Sequence, residues 1–283
     1  MDARLVWDTW RRILTDDRLV ERVLHDVHTG DAFGLTPAEL AILADYARTP
    51  AATNQNLGMY RRGLVRNALA ALTLVPLTRR LLYLSGLDVD TVAADFVRST
   101  GYVDDGPHFW RIAGGFIAHM ASLPEFAGGP RQDVLALDAA AVALARRLGE
   151  SGVAVWPEAA AQQYAEAGRC RGGQYARFVA NRAAVVASSS CDLTDWIENP
   201  DDFDAEQEFE PSTRHWLIFI PAADAAHTYA ELSERAARTF NLLSTARLAT
   251  ELSAALEGLP VPEVIEVIEA LAELGVVVND QHA

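Results

Sequence analysis

Histidines are the first residues of this sequence that could bind a metal. His25 and His28 lie three positions apart, with Asp26 between them, so one helix face could present both imidazoles. A metal site needs a third ligand with converging geometry, and a His-x-x-His pair alone does not supply it. We therefore interpret the two histidines as solvated helix residues and expect no metal-binding residues in the chain.

Acid–base chemistry would require a histidine near a carboxylate. His108 and His119 flank an apolar helix pattern, and Asp104 and Asp105 lie shortly before it. These groups are close enough in sequence for general acid–base work. A histidine in such a pattern more often has a structural role, with its ring nitrogens hydrogen-bonded, and that role is expected for both.

Motifs for nucleophilic attack and for phosphate binding are missing. No Gly-x-Ser-x-Gly sequence occurs, and neither Cys170 nor Cys191 has a histidine beside it. The glycines of GRCRGGQ, residues 168–174, match neither P-loop nor dinucleotide-binding spacing. We predict no catalytic residue and no cofactor in this chain, and two ordinary thiols.

Arginines are concentrated in NQNLGMYRRGLVRNALAAL, residues 54–72. Arg61, Arg62 and Arg66 stand there with Asn67 in an otherwise amphipathic helix pattern. A guanidinium group forms paired hydrogen bonds with a carboxylate, so this helix suits an acidic partner surface or the carboxylates of a peptide. These arginines would equally pair with aspartates and glutamates of the same chain. Both interpretations stay open at this point.

The charge balance narrows the classes of partner. The chain has 283 residues, is 50% hydrophobic and carries a net charge of −15, and it contains no lysine. It lacks the clustered positive charge that sequence-independent nucleic-acid binding requires, so no nucleic-acid partner is expected. The N-terminal residues do not form a signal-peptide pattern and no long apolar run occurs, which predicts a cytoplasmic protein without a membrane partner.

Helical spacing of apolar residues dominates residues 1–150, which are predicted to form a helical bundle domain. Thr36, Pro37 and Glu39 form a capping-box signal for one helix start. The predicted helices cover 4–27, 34–47, 54–86, 88–99, the stretch 104–123, and 131–148.

The sequence changes character after residue 150. Residues 151–211 mix glycine, serine and proline with short possible strands and end in an acidic tract, which is typical of a connecting segment. RHWLIFIP, residues 214–221, is the clearest strand. Helix patterns follow near 227–243, 245–257 and 261–274, before a short final strand.

The order of a strand, three helices and a strand is typical of a winged-helix module. Residues 212–283 are therefore predicted to form a winged-helix-like α+β domain. The expected fold class is mainly α, with an N-terminal helical bundle, the connecting segment 151–211 and this C-terminal module.

The motifs resemble a known group of proteins. MYRRGLVRNALAAL followed by ADFVRSTGYVDDGPHFWRIAGGFIAHMASLPEF resembles the N-terminal region of partner proteins of multinuclear non-haem iron oxidases. Those oxidases modify ribosomally made peptides such as methanobactin and 3-thiaglutamate-containing products. HWLIFIP through EVIEALAELGVVVND resembles the winged-helix peptide-recognition elements of the same pathways. The resemblance covers about residues 50–145 and 212–280, and LVP at 74–76 and the segment 151–211 depart from it.

The resemblance implies a non-catalytic subunit of a heterodimer. It would bind the leader of a ribosomally made precursor peptide and present the peptide to an iron-dependent oxidase, which would hold the iron. An open edge of the strand 214–220 would add the leader as a further strand. The expected peptide-binding residues are Trp216, Leu217, Ile218, Phe219, Ile220, Val264 and Ile268. The expected partner-docking residues are Tyr60, Arg61, Arg62, Arg66, Asn67, Phe109 and Trp110.

Two other functions compete with this interpretation. A winged-helix transcription regulator with a helical sensing domain would need basic residues on its recognition helix. The candidate helix 261–274 carries four glutamates and no basic residue, although Arg247 precedes it. A stand-alone enzyme using His25 and His28, or His108 and Asp105, is the third possibility.

The purified chain should bind no iron or zinc in stoichiometric amount. The reason is that no three-ligand cluster with plausible spacing occurs in the sequence. Elemental analysis after desalting measures the metal content. One metal per chain that is lost when His25 and His28 are replaced together would contradict this prediction.

Overall fold

The computed structural model describes residues 2–20, 34–49, 56–106, 108–153, 155–167, 176–199 and 209–279. This part of the chain is mainly α, as predicted, with two small antiparallel sheets. The helices are α1 Ala3–Thr15, α2 Pro37–Ala47, α3 Asn56–Ala71, α4 Pro76–Leu84, α5 Val89–Ser99, α6 Phe109–Ala121, α7 Gly129–Ser151, α8 Pro157–Ala167, α9 Thr194–Glu198, α10 Glu234–Leu242, α11 Ala249–Ala255 and α12 Val261–Glu273. The strands are β1 Arg177–Ala180, β2 Ala184–Cys191, β3 Pro211–Phe219, β4 Thr228–Leu232, β5 Arg247–Leu248 and β6 Val277–Asn279.

Local signals in the sequence set several helix ends. The capping box predicted for α2 is present: the Glu39 amide donates to Thr36 Oγ1 over 3.3 Å, and the Thr36 amide donates to Glu39 Oε2 over 2.7 Å. The Asp88 carboxylate accepts hydrogen bonds from two amides in the first turn of α5. Pro76 opens a separate helix, α4, instead of lying within one helix over 54–86.

The chain forms two compact units, whose boundaries differ from the predicted ones. The first comprises residues 1–73 and 87–116, and the second residues 74–86 and 117–283. Packing and strand pairing cross the boundaries that were predicted after residues 150 and 211. Helix α7 packs on β2 and β3, and β1 pairs with β5 and β6.

Helix pairing forms the first unit. Helix α1 packs against α2, and α3 packs against α5. The rings of Phe96 on α5 and Phe116 on α6 lie 5.0 Å apart. Gly115 permits this contact, since a Cβ there would lie 3.2 Å from the Phe96 ring. These helices therefore fix the relative positions of α3 and the residues that follow α5.

A sheet of order β2-β3-β4 lies between two helical layers in the second unit. Alternate side chains of an antiparallel strand point to opposite faces. One face meets α7. Leu217 of β3 points to the other face and joins an apolar cluster with residues of α10, α11 and α12. Both faces of β3 are therefore buried.

The second sheet has β1 in its centre, in the order β5-β1-β6. Phe178 of β1 is buried in the same apolar cluster as the C-terminal helices. The Asn181 side chain donates to the carbonyl oxygens of Val155 and Gly275, each over 3.0 Å. These contacts attach the turn after β1 to both the segment before α8 and the end of α12.

The helix predicted over 227–243 begins later than expected. Residues 228–232 form the strand β4, and the helix α10 starts at Glu234. Tyr229 and Glu231 alternate with Ala230 and Leu232, which pack on the apolar cluster. Alternate side chains of residues 228–232 point to opposite sides, and pairing of this segment with β3 outweighs its local helical pattern.

Gly275 should be intolerant of substitution, whereas Gly258 should accept alanine at modest cost. Both have positive φ, +69° and +83°, which costs a non-glycine residue about 1 kcal/mol. A Cβ on Gly275 would also overlap the carbonyl oxygen of Pro157, whereas one on Gly258 meets no atom within 4 Å. We expect Gly275→Ala to lower the free energy of unfolding by more than about 3 kcal/mol. Urea unfolding of both variants tests this, and equal losses would contradict it.

Candidate functional site

Strand β3 does not offer the open edge that was predicted for it. Its residues 215–219 pair with β4 on one side, and residues 211 and 214–219 pair with β2 on the other. The main-chain groups of the predicted leader-binding strand are therefore used inside the sheet. Periodicity alone cannot separate a buried central strand from an edge strand, which is why the prediction failed.

The predicted peptide-binding side chains mostly lie in the core. Leu217, Ile218, Val264 and Ile268 are fully buried. Leu217 belongs to the same apolar cluster as Val264 and Ile268, so these three side chains form part of the core. Trp216 and Ile220 are buried and Phe219 is half-buried. These residues stabilise the second unit.

Among the strands that the structure describes, the outer side of β4 is the open edge of this sheet. The amide of Ile220 donates to Ala183, so hydrogen-bonded pairs between β3 and β2 fall at even-numbered residues of β3. The odd-numbered residues of β3 then pair with β4 at 228, 230 and 232. The main-chain groups of Tyr229 and Glu231 consequently point away from β3, and no strand of the described chain pairs with them.

The opposite edge, on β2, is covered by side chains of α7. The Arg147 guanidinium donates to the carbonyl oxygen of Ala184 over 3.2 Å. The amide of Ser190 donates to the Asp133 carboxylate over 2.7 Å. Both main-chain groups belong to the outward-facing set that the β2–β3 register predicts. Within the described residues, the two edges of this sheet therefore differ in accessibility.

Polar residues line a groove of about 720 Å³ at the end of β4. Arg214 bridges Asp192 and Glu231, with 2.9 Å to each carboxylate. His215 Nδ1 lies 2.9 Å from Ser188 Oγ. The groove walls are thus mostly charged and polar. The residues that line the groove are Thr213, Arg214, His215, Glu231, Leu232, Ser233 and Glu234.

A buried carboxylate anchors β4 from its α7 side. Asp138 of α7 is fully buried, and its Oδ1 accepts a hydrogen bond from the Tyr229 hydroxyl over 2.7 Å. Its Oδ2 accepts one from the amide of Thr78 over 2.7 Å. His227 Nε2 lies 3.0 Å from the Tyr229 hydroxyl. One side chain therefore joins α4, α7 and β4.

Burial shifts the pKa values of this cluster. The pKa of Asp138 rises from 3.8 to about 6 because burial penalises the carboxylate, although hydrogen bonds from Thr78 and Tyr229 lower it. The pKa of His227 falls from 6.5 to about 4, also through burial. The pKa of the Tyr229 hydroxyl rises through burial and the nearby carboxylate. Near neutral pH, His227 is therefore uncharged.

Arg61 on α3 forms contacts inside the first unit. Its guanidinium pairs with the Asp17 carboxylate, donates to the Tyr102 hydroxyl and lies 4.5 Å from the centre of the Tyr102 ring. The hydrogen bond from Arg61 lowers the pKa of Asp17. Arg98 on α5 reaches the same carboxylate over 3.4 Å. For Arg61, the structure favours the internal pairing that the sequence left open.

Arg62 and Arg66 have a different environment. Both are exposed, and neither forms an ion pair with a described residue. They line a groove of about 430 Å³ between α3 and α5, whose walls are Arg61, Arg62, Val65, Arg66, Asp90, Ala94, Arg98 and Tyr102. This surface is hereafter called the arginine groove.

The remaining predicted docking residues do not line the arginine groove. The Tyr60 hydroxyl donates to the carbonyl oxygen of Tyr102 over 3.4 Å. Asn67 lines a separate small cleft. Phe109 is 39% exposed and Trp110 is half-buried at the start of α6. The structure thus brings only part of the predicted docking set together.

The described residues contain no cluster of three or more histidine, cysteine or acidic side chains that could hold a metal ion. His25, His28 and Cys170 lie outside those residues. His108 is exposed, and its amide donates to the carbonyl oxygen of Asp105 over 3.3 Å.

Cys191 is buried, and its environment disfavours the thiolate. Burial and the neighbouring Asp133 raise the pKa of its thiol to about 11. A thiol with so high a pKa is a poor nucleophile near neutral pH.

Comparison with protein-family models finds no match to this chain, and comparison with curated proteins finds none either. Across the stretches that the structure describes, no helix is both long and apolar enough to cross a bilayer. The geometry of the described residues therefore carries the functional argument.

Asp138 and His227 should make the free energy of unfolding change with pH in opposite directions. Between about pH 4 and pH 6, the folded Asp138 keeps a proton that the unfolded chain loses, so its contribution falls as pH rises. Over about pH 4 to 6.5, the unfolded His227 holds a proton that the folded residue lacks, so its contribution rises. Relative to wild type, Asp138→Asn should therefore gain about 2 kcal/mol from pH 4 to pH 6, and His227→Gln should lose a similar amount.

Urea unfolding of the wild type and both variants across this pH range measures the two slopes. Differences between variant and wild type remove the contributions of all other titrating groups. Variant curves that run parallel to the wild-type curve would contradict the assignment of these pKa shifts.

Proposed function

We propose that this chain is a non-catalytic, peptide-binding subunit that presents a ribosomally made precursor peptide to a partner enzyme. An extended segment of the peptide would pair with the outer edge of β4. The observation that supports this function is the outward direction of the Tyr229 and Glu231 main-chain groups, which no described strand pairs. Addition of a strand to an exposed sheet edge is a general mode of peptide recognition.

The edge alone gives modest affinity. Two residues provide two amides and two carbonyl groups, and each hydrogen bond contributes about 1 kcal/mol net. About 4 kcal/mol corresponds to millimolar binding. Side-chain contacts must supply the further binding free energy of a tighter complex. The groove at the end of β4, which lies next to Glu231, can provide such contacts. Because the groove is lined mostly by polar and charged side chains, a polar peptide side chain fits it better than an apolar one.

The C-terminal helices supply a second argument. Helices α10, α11 and α12 with the strands β5 and β6 have the element order of a winged-helix-like module. In such a module a second strand would follow α12, after β6, and here β1 takes its place in the sheet. The resemblance of residues 212–280 to winged-helix peptide-recognition elements fits this arrangement. In this proposal the module supports the sheet from behind, and the peptide lies on β4 instead of β3.

The partner enzyme in this proposal is a multinuclear non-haem iron-dependent oxidase. The resemblance of residues 50–145 to partner proteins of such oxidases supports it, and the iron would be held by the other chain. The first unit would provide the docking surface for that enzyme.

A winged-helix transcription regulator receives no specific support. Glu263 on α12 already pairs with Arg235 over 2.8 Å, and the same helix carries the exposed Glu266 and Glu273 and the half-buried Glu269. A recognition helix of this charge would repel the phosphates of DNA.

Glu231→Pro should abolish peptide binding without unfolding the protein. Proline removes an amide that faces the outer edge, where the β3–β4 ladder does not need it. Glu231→Ala is the matched control, since it removes the ion pair with Arg214 but keeps the amide. We expect at least a tenfold weaker complex for proline and a smaller effect for alanine, with roughly 1.4 kcal/mol per tenfold change.

Fluorescence anisotropy with a labelled candidate precursor peptide, chosen from short reading frames near this gene, measures the affinity. Hydrogen exchange adds a direct readout, because the amides of Tyr229 and Glu231 should become protected only in the complex. If Glu231→Pro is folded and binds with wild-type affinity, β4 is not the peptide site.

A further inference from the structure

The arginine groove combines four guanidinium groups in a chain of strongly acidic composition. Arg61, Arg62 and Arg66 come from α3, and Arg98 comes from α5. Asp90 is the only carboxylate among the described residues that line the groove. The chain as a whole has 39 acidic and 24 basic residues, so this local excess of arginine opposes the overall charge.

The four arginines divide into two pairs. Arg61 and Arg98 share the Asp17 carboxylate, and Arg98 also contacts Asp95 over 2.7 Å. These contacts hold one side of the groove in place. Arg62 and Arg66 have no such carboxylate among the described residues, so their guanidinium groups can accept an external ligand.

Arg62 and Arg66 are four positions apart on one helix. Like charges at this spacing destabilise a helix by about 0.2–0.5 kcal/mol. Asp90 lines the same groove, but neither arginine forms an ion pair with it. A carboxylate lying between the two guanidinium groups would convert the repulsion into paired, charge-assisted hydrogen bonds. The interaction between Arg62 and Arg66 is therefore repulsive in the free protein, and an acidic ligand would make it favourable.

Tyr102 supports the groove from below with an unusual backbone. Its φ of +57° lies in the left-handed region that side chains other than glycine rarely adopt. The ring is buried and held by Arg61, and its carbonyl oxygen accepts the Tyr60 hydroxyl. Such strained residues persist where surrounding contacts determine the geometry, and they concentrate at ligand sites.

We propose that the arginine groove binds an acidic segment of a partner polypeptide, with Arg62 and Arg66 as its recognition residues. Their four-residue spacing corresponds to about 6 Å along the helix axis. Glutamates four positions apart on a partner helix have the same separation, so a helix with this acidic repeat is the matching ligand. The groove volume of about 430 Å³ accommodates a few side chains and not a folded domain. This inference holds whether or not β4 binds a peptide.

A helical peptide with glutamate at every fourth position is the probe, and its glutamine counterpart is the peptide control. Binding to the full chain is measured by fluorescence anisotropy at several salt concentrations. We expect the glutamate peptide to bind, the glutamine peptide to bind at least about tenfold more weakly, and added salt to weaken binding.

Arg62→Glu with Arg66→Glu should abolish this binding, because attraction becomes like-charge repulsion. Arg62→Gln with Arg66→Gln removes the charge more gently and should also lower the affinity at least about tenfold. Arg11→Glu with Arg18→Glu is the matched control, since it changes the charge equally at two exposed arginines outside the groove. Circular dichroism of each variant verifies the fold.

Several results would overturn the proposal. Unchanged affinity in the folded glutamine variant, or equal binding of both peptides, would exclude a carboxylate site at these residues. Tighter binding of duplex DNA that is lost in the same variant would indicate a phosphate ligand instead. Self-association that disappears in the variant would indicate a second copy of this chain. Glu231→Pro should leave acidic-peptide binding intact, so failure here and failure of the β4 edge are distinguishable.

Discussion

A carboxylate without access to water is the constraint on which the second unit depends. Asp138 has to receive hydrogen bonds from protein donors, because an unpaired buried carboxylate is far too costly. The donors are the amide of Thr78, in the first turn of α4 where no side-chain cap is present, and the hydroxyl of Tyr229 on β4. Asp138 thus serves as a cap supplied from another helix. The same side chain sets the start of one helix and the position of the sheet edge.

The two candidate surfaces use different chemistry. The β4 edge presents main-chain groups, which bind an extended segment with little demand on its sequence. The arginine groove presents guanidinium groups, which distinguish carboxylates from neutral side chains. A subunit that must accept a peptide and also engage a protein partner benefits from this separation, because neither ligand competes for the other's contacts. The buried apolar residues of β3 and α12 support the first surface from the core.

Features determined by a few neighbouring residues could be predicted from the sequence. The capping box at Thr36 and Glu39 and the mainly helical class belong to this group. The position of a strand within its sheet depends on partners far along the chain, so the open edge was assigned to β3 instead of β4. Asp138 was also missed. Its one signal is an aspartate between Leu137 and Ala139 on an alanine-rich helix, which places a charge on an otherwise apolar stretch. For the arginines, sequence offered two interpretations, and the positions of their neighbours assign Arg61 to internal pairing.

The central position of β1 in its sheet affects synthesis of the chain. Its partners β5 and β6 follow it by roughly 70 and 100 residues, and a ribosome adds about 5–20 residues per second. For several seconds, β1 therefore exists without either neighbour, and Phe178 has no finished cluster to enter. A growing chain in this state exposes an unpaired apolar strand to other nascent chains and to chaperones. Rare codons between β1 and β6 would lengthen that interval, so translation speed in this stretch influences the yield of folded protein.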